Sequence, residues 1–260
     1  MTPVPPSFVN AHCRVAAQCS SIAYARKGSS TGKWKLDAQI ALAGYGFQTV
    51  RFFNNAQTDT NGFVALDSTT CVVAFRGTQE PQDFLTDAEF GFTMRNDESR
   101  VHTGFNMAIL SVLGDVVRIL DEECTKGQTV ISTGHSLGGA LALEFAVLSL
   151  RCQSCYTFGQ PRVGDDKYAA LCQSVIGENH FRVVNKVDIV PRSPGPLWPA
   201  YRHSGHLLLI DADGEADWNP TFLECLIDDV VALYKAIVTH KEALLENHRM
   251  SNYLQFASKL

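Results

Sequence analysis

The chain predicts an α/β fold, with a mainly parallel sheet and helices on both of its faces. Two observations carry this. From residue 129 to 184, short apolar runs of strand length alternate with segments of helical period. The chain is also long enough for a sizeable core, at 260 residues of which 45% are hydrophobic.

Taken in order, residues 1–7 are proline-rich and expected to be loose. From Phe8 to Ala25 the apolar side chains Phe8, Ala11, Val15, Cys19 and Ile22 recur at helical spacing. "FQTVRFFNN" (47–55) reads as a strand, and "FVAL" (63–66) and "CVVAF" (71–75) flank the turn "DSTT" as a hairpin. Phe105 to Cys124 is a strong amphipathic helix, with Phe105, Ile109, Val112, Val116 and Ile119 on one face. "TVIST" is a strand, Leu137 to Arg151 an apolar helix, "CYTFG" a strand, Asp165 to Ile176 a helix and "HFRVV" a strand. "HLLLI" (206–210) is expected to be the last strand. A helix from Pro220 to His240 and a short one beginning near His248 close the chain. With no repeat or linker in sight, one domain over 1–260 is expected. In a sheet of this kind the carboxyl ends of the strands form the functional edge.

The formal net charge is −5, which argues against a nucleic-acid partner and does not favour an acidic substrate. No segment is expected to span a membrane, since the best apolar run, Ala140 to Leu150, is short and contains Glu144. The N-terminus has neither the basic start nor the apolar stretch of a secretory signal, so a cytoplasmic chain, or one whose leader is gone, is expected. Of the eight cysteines, Cys71, Cys124, Cys172 and Cys225 sit in apolar runs and read as small buried hydrophobes. Cys152-Gln-Ser-Cys155 follows a helix instead of opening one, so it reads as a turn with unreactive thiols, not a redox pair. A second C-x-x-C for zinc is missing.

Between the strand "TVIST" and the apolar helix lies Gly134-His135-Ser136-Leu137-Gly138, which fits G-x-S-x-G. The pattern is weak alone. Its position between a buried strand and a helix is what a nucleophile elbow requires. There the bend exposes the serine hydroxyl and aims the helix N-terminus at it, where partial positive charge favours an oxyanion. A serine needs a general base, and the base an orienting carboxylate, in the chain order Ser, Asp or Glu, His. Asp188 follows a strand in "FRVVNKVDIVPRSP" and is the best acid. Asp165 and Asp166 read as a helix start, and Asp211 and Asp213 as a turn. For the base, His203, His206, His240 and His248 all follow Asp188; position favours His248, with His203 second.

At this point the sequence resembles a known family. "CVVAFRGT", "VHTGF", "ISTGHSLGGALA", "YTFGQPRVGD", "FRVVNKVDIVPRSP" and "NHRMSNYL" look like the successive motifs of the class 3, or fungal-type, lipases, in the family's order. The resemblance implies an α/β-hydrolase fold and a Ser-Asp-His triad acting on carboxylic esters. By motif, the nucleophile falls on Ser136, the acid on Asp188 and the base on His248. His203 then reads as structural or pocket-lining, and His102 as packing. Thr78 in "FRGT" and Leu137 would supply the oxyanion N–H groups, with Arg76 and Gly77 shaping the turn.

Residues 79–100 correspond to the family's lid, where Phe84 and Leu85 form an amphipathic element and Phe90 and Phe92 are candidates to line an acyl pocket. His135 and Trp198 join them as candidates for the substrate site. The implied reaction needs no metal or organic cofactor. The expected partners are a small ester or lipid substrate and, through the lid, a lipid interface. Two alternatives stay open: a short-chain or feruloyl-type esterase, and a catalytically silent hydrolase-fold binding protein.

Overall fold

The computed structural model describes residues 4–24, 31–78, 91–186, 188–194, 201–211, 214–218, 220 and 246–260. Within them lie ten strands, six α-helices and two short 3-10 helices, Gly177–Asn179 and Val190–Arg192. In chain order the strands and α-helices are α1 (Asn10–Ala23), α2 (Thr31–Gly44), β1 (Thr49–Asn55), β2 (Thr60–Leu66), β3 (Thr70–Phe75), β4 (Phe92–Met94) and β5 (Arg100–His102). There follow α3 (Thr103–Glu123), β6 (Thr129–His135), α4 (Leu137–Ser149), β7 (Ser154–Phe158), α5 (Asp166–Val175), β8 (His180–Asn185), β9 (His206–Ile210), β10 (Ala216–Trp218) and α6 (Met250–Ala257).

Eight strands form one sheet in the order β1-β2-β3-β6-β7-β8-β9-β10. Its five inner strands, β3, β6, β7, β8 and β9, pair in parallel, with Ala74 opposite Thr133, Thr133 opposite Tyr156 and Tyr156 opposite Phe181. β1, β2 and β10 are antiparallel additions at the two edges. The strand expected to be last therefore has a successor. β10 was hidden because its three residues, Ala-Asp-Trp, are too few for a period to emerge.

Alternate residues of the inner strands feed two separate cores, as the pleat requires. Cys71, Val73 and Phe75 of β3 face one core, which α3, α4 and α5 cover. Val72 and Ala74 face the other, which α1 and α6 cover with Cys13, Ala16, Ala17, Tyr253 and Phe256. α4 is apolar on every side because it is buried on nearly every side, from Gly138 to Val147.

α2 was not foreseen. Trp34, Ala38 and Leu42 are buried at a spacing of four, but Leu36 and Ile40 are exposed and blur the stripe. The expectation of no bilayer-length apolar segment also needs correction. α3, with 21 residues, is long and apolar enough by length and composition. Phe105, Ile109, Val112, Val116 and Leu120 bury one side of it in the core, while Arg118 pairs with Asp115 and Glu122 on the other. The part expected to be lid, 79–100, ends in the β4–β5 hairpin. Residues 79–90, and the helix expected from 220 to 240 beyond its first residue, lie outside the described residues.

Candidate active site

β6 runs directly into α4, and Ser136 alone makes the turn. Its backbone sits at φ 58°, ψ −130°, where residues other than glycine are strained. Its N–H donates to the Phe158 carbonyl at 2.9 Å, which pins the turn to β7. The flanking glycines are there for space. A Cβ on Gly134 would lie 2.2 Å from the Gly138 carbonyl, and one on Gly138 would lie 2.3 Å from the Phe75 oxygen and 2.9 Å from Gly77 N. The exit of β3, which leads to Thr78, is therefore packed against the first turn of α4. Gly139 and Ala140 donate to the Ser136 carbonyl, so Leu137 and Gly138 carry the N–H groups with no acceptor in the helix, and its dipole is positive there.

Asp188 and His248 meet at the same edge. His248 Nδ1 donates to Asp188 Oδ2 at 2.7 Å, and both side chains are buried. The carboxylate also accepts from the Val190 N–H at 2.8 Å and from the Tyr253 hydroxyl. A buried anion with three donors is well compensated. Burial and the neighbouring Asp188 charge hold the Tyr253 phenol well above its ordinary pKa, so it stays a donor. Gly159, just past β7, lies beneath the pair: a Cβ there would approach His248 Cε1 to 2.9 Å and Asp188 Oδ2 to 3.0 Å. Since Ser136 is bonded to Phe158, the neighbour of Gly159, the serine turn and the imidazole border the same short stretch of β7. The outer ring nitrogen, His248 Nε2, is buried and has no hydrogen-bond partner among the described residues.

His135, expected at the substrate site, lies instead behind the turn. It is 4% exposed, its ring centre lies 4.4 Å from that of His248 with the planes tilted by 31°, and its Nε2 donates to the His248 backbone carbonyl at 2.6 Å. Its Nδ1 lies 3.0 Å from the hydroxyl of Tyr24, at the end of α1. Burial, and next the proximity of His248, push the His135 pKa well below its ordinary value. Neither Tyr24 nor Tyr253 was singled out from the sequence, because neither belongs to the serine motif or to the acid's strand.

Phe92 is also spoken for by packing. It stacks on Tyr201 at 4.4 Å, and the Arg100 guanidinium lies 5.0 Å from its ring centre. Phe84, Leu85, Phe90 and Trp198 lie outside the described residues. Thr78 sits half-buried on the exit of β3, and Leu137 opens α4. His203 Nε2 donates to the Pro191 carbonyl at 2.7 Å, and His102 caps α3 by accepting from the Phe105 N–H at 3.3 Å. Cys152 and Cys155 are free thiols whose pKa values burial raises. Among the described residues, no group of three or more His, Cys, Asp and Glu side chains is placed to hold a metal ion.

Residues 72–198, about half of the chain, match the family described as Lipase (class 3). The chain belongs to the class 3 lipase family. This class 3 lipase chain is 34% identical to the lipase of Rhizopus niveus over 187 residues, 66% of the chain and 45% of the relative. It is 32% identical to the secreted mono- and diacylglycerol lipase 1 of Fusarium solani over 186 residues, 68% of the chain and 55% of the relative. It thus spans about half the length of the curated relatives it matches. The solved lipase of Rhizopus microsporus var. chinensis superposes with a TM-score of 0.65 at 29% identity, covering 84% of each chain. The fold of this class 3 lipase chain is the α/β-hydrolase fold.

Proposed function

We propose that the chain is a serine carboxylic ester hydrolase acting on acylglycerols. The observation that carries this reading is the 2.7 Å bond between His248 and Asp188, beside a serine held at positive φ on a strand-to-helix turn. Strain at such a position is worth its cost where it presents a reacting atom. The names of the Rhizopus and Fusarium relatives support the substrate class.

In this reading His248 Nε2 takes the Ser136 proton as Oγ attacks the ester carbonyl carbon. Asp188 holds the Nδ1–H tautomer and stabilises the imidazolium that forms. The N–H groups of Leu137 and Thr78 receive the oxyanion of the tetrahedral intermediate. Collapse breaks the bond to the alcohol, which leaves with the proton from His248. Water, deprotonated by the same nitrogen, then attacks the acyl-enzyme, and Ser136 is released with a carboxylic acid. Phe84 and Leu85 are the residues proposed to meet a lipid surface during this cycle.

The test is covalent labelling with a fluorophosphonate, alongside turnover of a p-nitrophenyl ester and of a triolein emulsion. Wild-type protein should be labelled on Ser136 and hydrolyse both substrates, and Ser136→Ala should lose turnover by about a millionfold. Unlabelled, inactive wild-type protein would end the hydrolase reading. Turnover of soluble esters with none of triolein would end the acylglycerol assignment.

A further inference from the structure

His135 has a role that the serine motif does not ask for. Its Nε2 faces the backbone oxygen of His248 at 2.6 Å. A carbonyl only accepts, so this nitrogen carries the proton. A neutral ring then has Nδ1 as its acceptor, and the group in front of it is the Tyr24 hydroxyl at 3.0 Å. Tyr24 in turn packs against Gly77, in the loop between β3 and Thr78. Gly77 is pressed so closely on Tyr24 that a Cβ there would lie 1.9 Å from the phenol oxygen. The single Tyr24 hydroxyl proton has a second acceptor on the same residue, the His135 carbonyl at 3.2 Å, and is shared between it and the nearer Nδ1.

The chain of contacts thus runs from the β3 exit loop through Tyr24 and His135 to the backbone of His248. We propose that His135 is a positioning residue: its imidazole ties Tyr24 to the main chain of His248 and so fixes the loop that presents the base to Ser136. The inference rests on the ester hydrolase reading. Its physical content is twofold. Bonding the His248 carbonyl removes the freedom of the segment that enters α6, so the ring keeps its reach to Asp188. And with a neutral partner 4.4 Å away, the imidazolium that forms on His248 meets no second positive charge.

The experiment is a double-mutant cycle on Tyr24→Phe and His135→Ala, with p-nitrophenyl ester kinetics, fluorophosphonate labelling rates and thermal melting. His135→Ala should lower kcat by about 10- to 100-fold, with KM changed by less than about threefold, since it acts on the base and not on substrate. His135→Gln, which keeps a planar N–H donor of similar reach, should restore most of the loss. Tyr24→Phe should cost about 3- to 10-fold alone and less than about twofold on the His135→Ala background, because its effect passes through Nδ1. An equal cost in both backgrounds would mean that Tyr24 acts through Gly77 instead, and would overturn the relay. So would wild-type kcat in His135→Ala. If that variant does not fold, Tyr24→Phe and His135→Gln decide: wild-type kcat in Tyr24→Phe overturns the proposal. Wild-type protein that is neither labelled nor active would overturn the hydrolase reading itself, and the relay with it; active protein indifferent to His135 overturns the relay alone.

Discussion

Tyr253 and His248 converge on one oxygen of Asp188: the phenol and the imidazole Nδ1 both donate to Oδ2. The carboxylate is thus oriented by α6, which carries Tyr253, as much as by its own loop. Tyr253→Phe removes one of its three donors and also leaves the Asn185 N–H, 3.2 Å from the phenol oxygen, without that acceptor. A lost buried hydrogen bond of this kind is worth about 1–2 kcal/mol. The expected result is a kcat lower by roughly 5- to 30-fold with KM little changed, and a stability lower by about 1 kcal/mol. Steady-state kinetics and urea melts of the single variant test this, and unchanged kcat would mean that Val190 and the loop hold Asp188 unaided.

The glycine at 159 makes a sharper prediction. Its φ is +57°, and a methyl group there would sit 2.9 Å from His248 Cε1 and 3.0 Å from Asp188 Oδ2. Gly159→Ala must push the imidazole off its carboxylate or strain β7. If His248 is the base, as proposed, a displacement of this size costs on the order of 100-fold in rate. The left-handed backbone adds about 1 kcal/mol or more of destabilisation. The measurement is kcat of the folded variant beside wild type; a variant with native activity would show that the acid–base pair has slack.

Ser136 offers the opposite trade. Its φ of 58° with ψ of −130° is a conformation that glycine adopts freely. Ser136→Gly should therefore abolish ester turnover and raise stability by about 1 kcal/mol, or some 2–4 °C in melting temperature for a chain of this size. Calorimetry of the pair measures it. A variant that melts lower than wild type would place the strain elsewhere, or refute it.

The elbow could be read in the sequence because strand, turn and helix are consecutive, so one local pattern holds the whole device. Asp188 was reachable for the same reason, as the residue in the loop after an apolar strand. The proposed base could only be narrowed by position, since nothing local separates His248 from His203; the hydrogen bond to Asp188 is what supports His248. Tyr24 and His135 are 111 residues apart, so their contact leaves no trace in either segment. His135 itself was visible, but its placement was not: a histidine beside the proposed nucleophile suggests the substrate side, whereas strand alternation turns its ring towards the core face that α1 covers. The β4–β5 hairpin and β10 were missed because three-residue strands carry no period.

Glu144 interrupts the apolar run of α4, and in the fold it is fully buried. Arg95, in the β4–β5 turn, reaches only one of its oxygens, at 3.4 Å, while Oε1 has no partner among the described residues. Tyr168 and Cys172 of α5 are the other titratable groups near it. Burial dominates over Arg95, and the carboxyl is pushed up from 4.5 to about 8. The sign follows from linkage. Between these two values the folded chain keeps a proton that the unfolded chain has released. The stability that goes with the neutral carboxyl is complete below about 4.5 and is lost progressively as pH rises to about 8. Glu144→Gln is neutral at every pH and should be free of this loss. Urea midpoints taken near pH 5 and near pH 9 should fall for wild type, by a few kcal/mol in stability, and fall much less for Glu144→Gln. Because Ser136 is the cap residue on which α4 starts, the same alkaline weakening should appear in the labelling rate of the serine before global unfolding. Parallel pH dependence in the two proteins would mean that Arg95 neutralises the carboxylate after all, and that Glu144 is an ordinary buried ion pair.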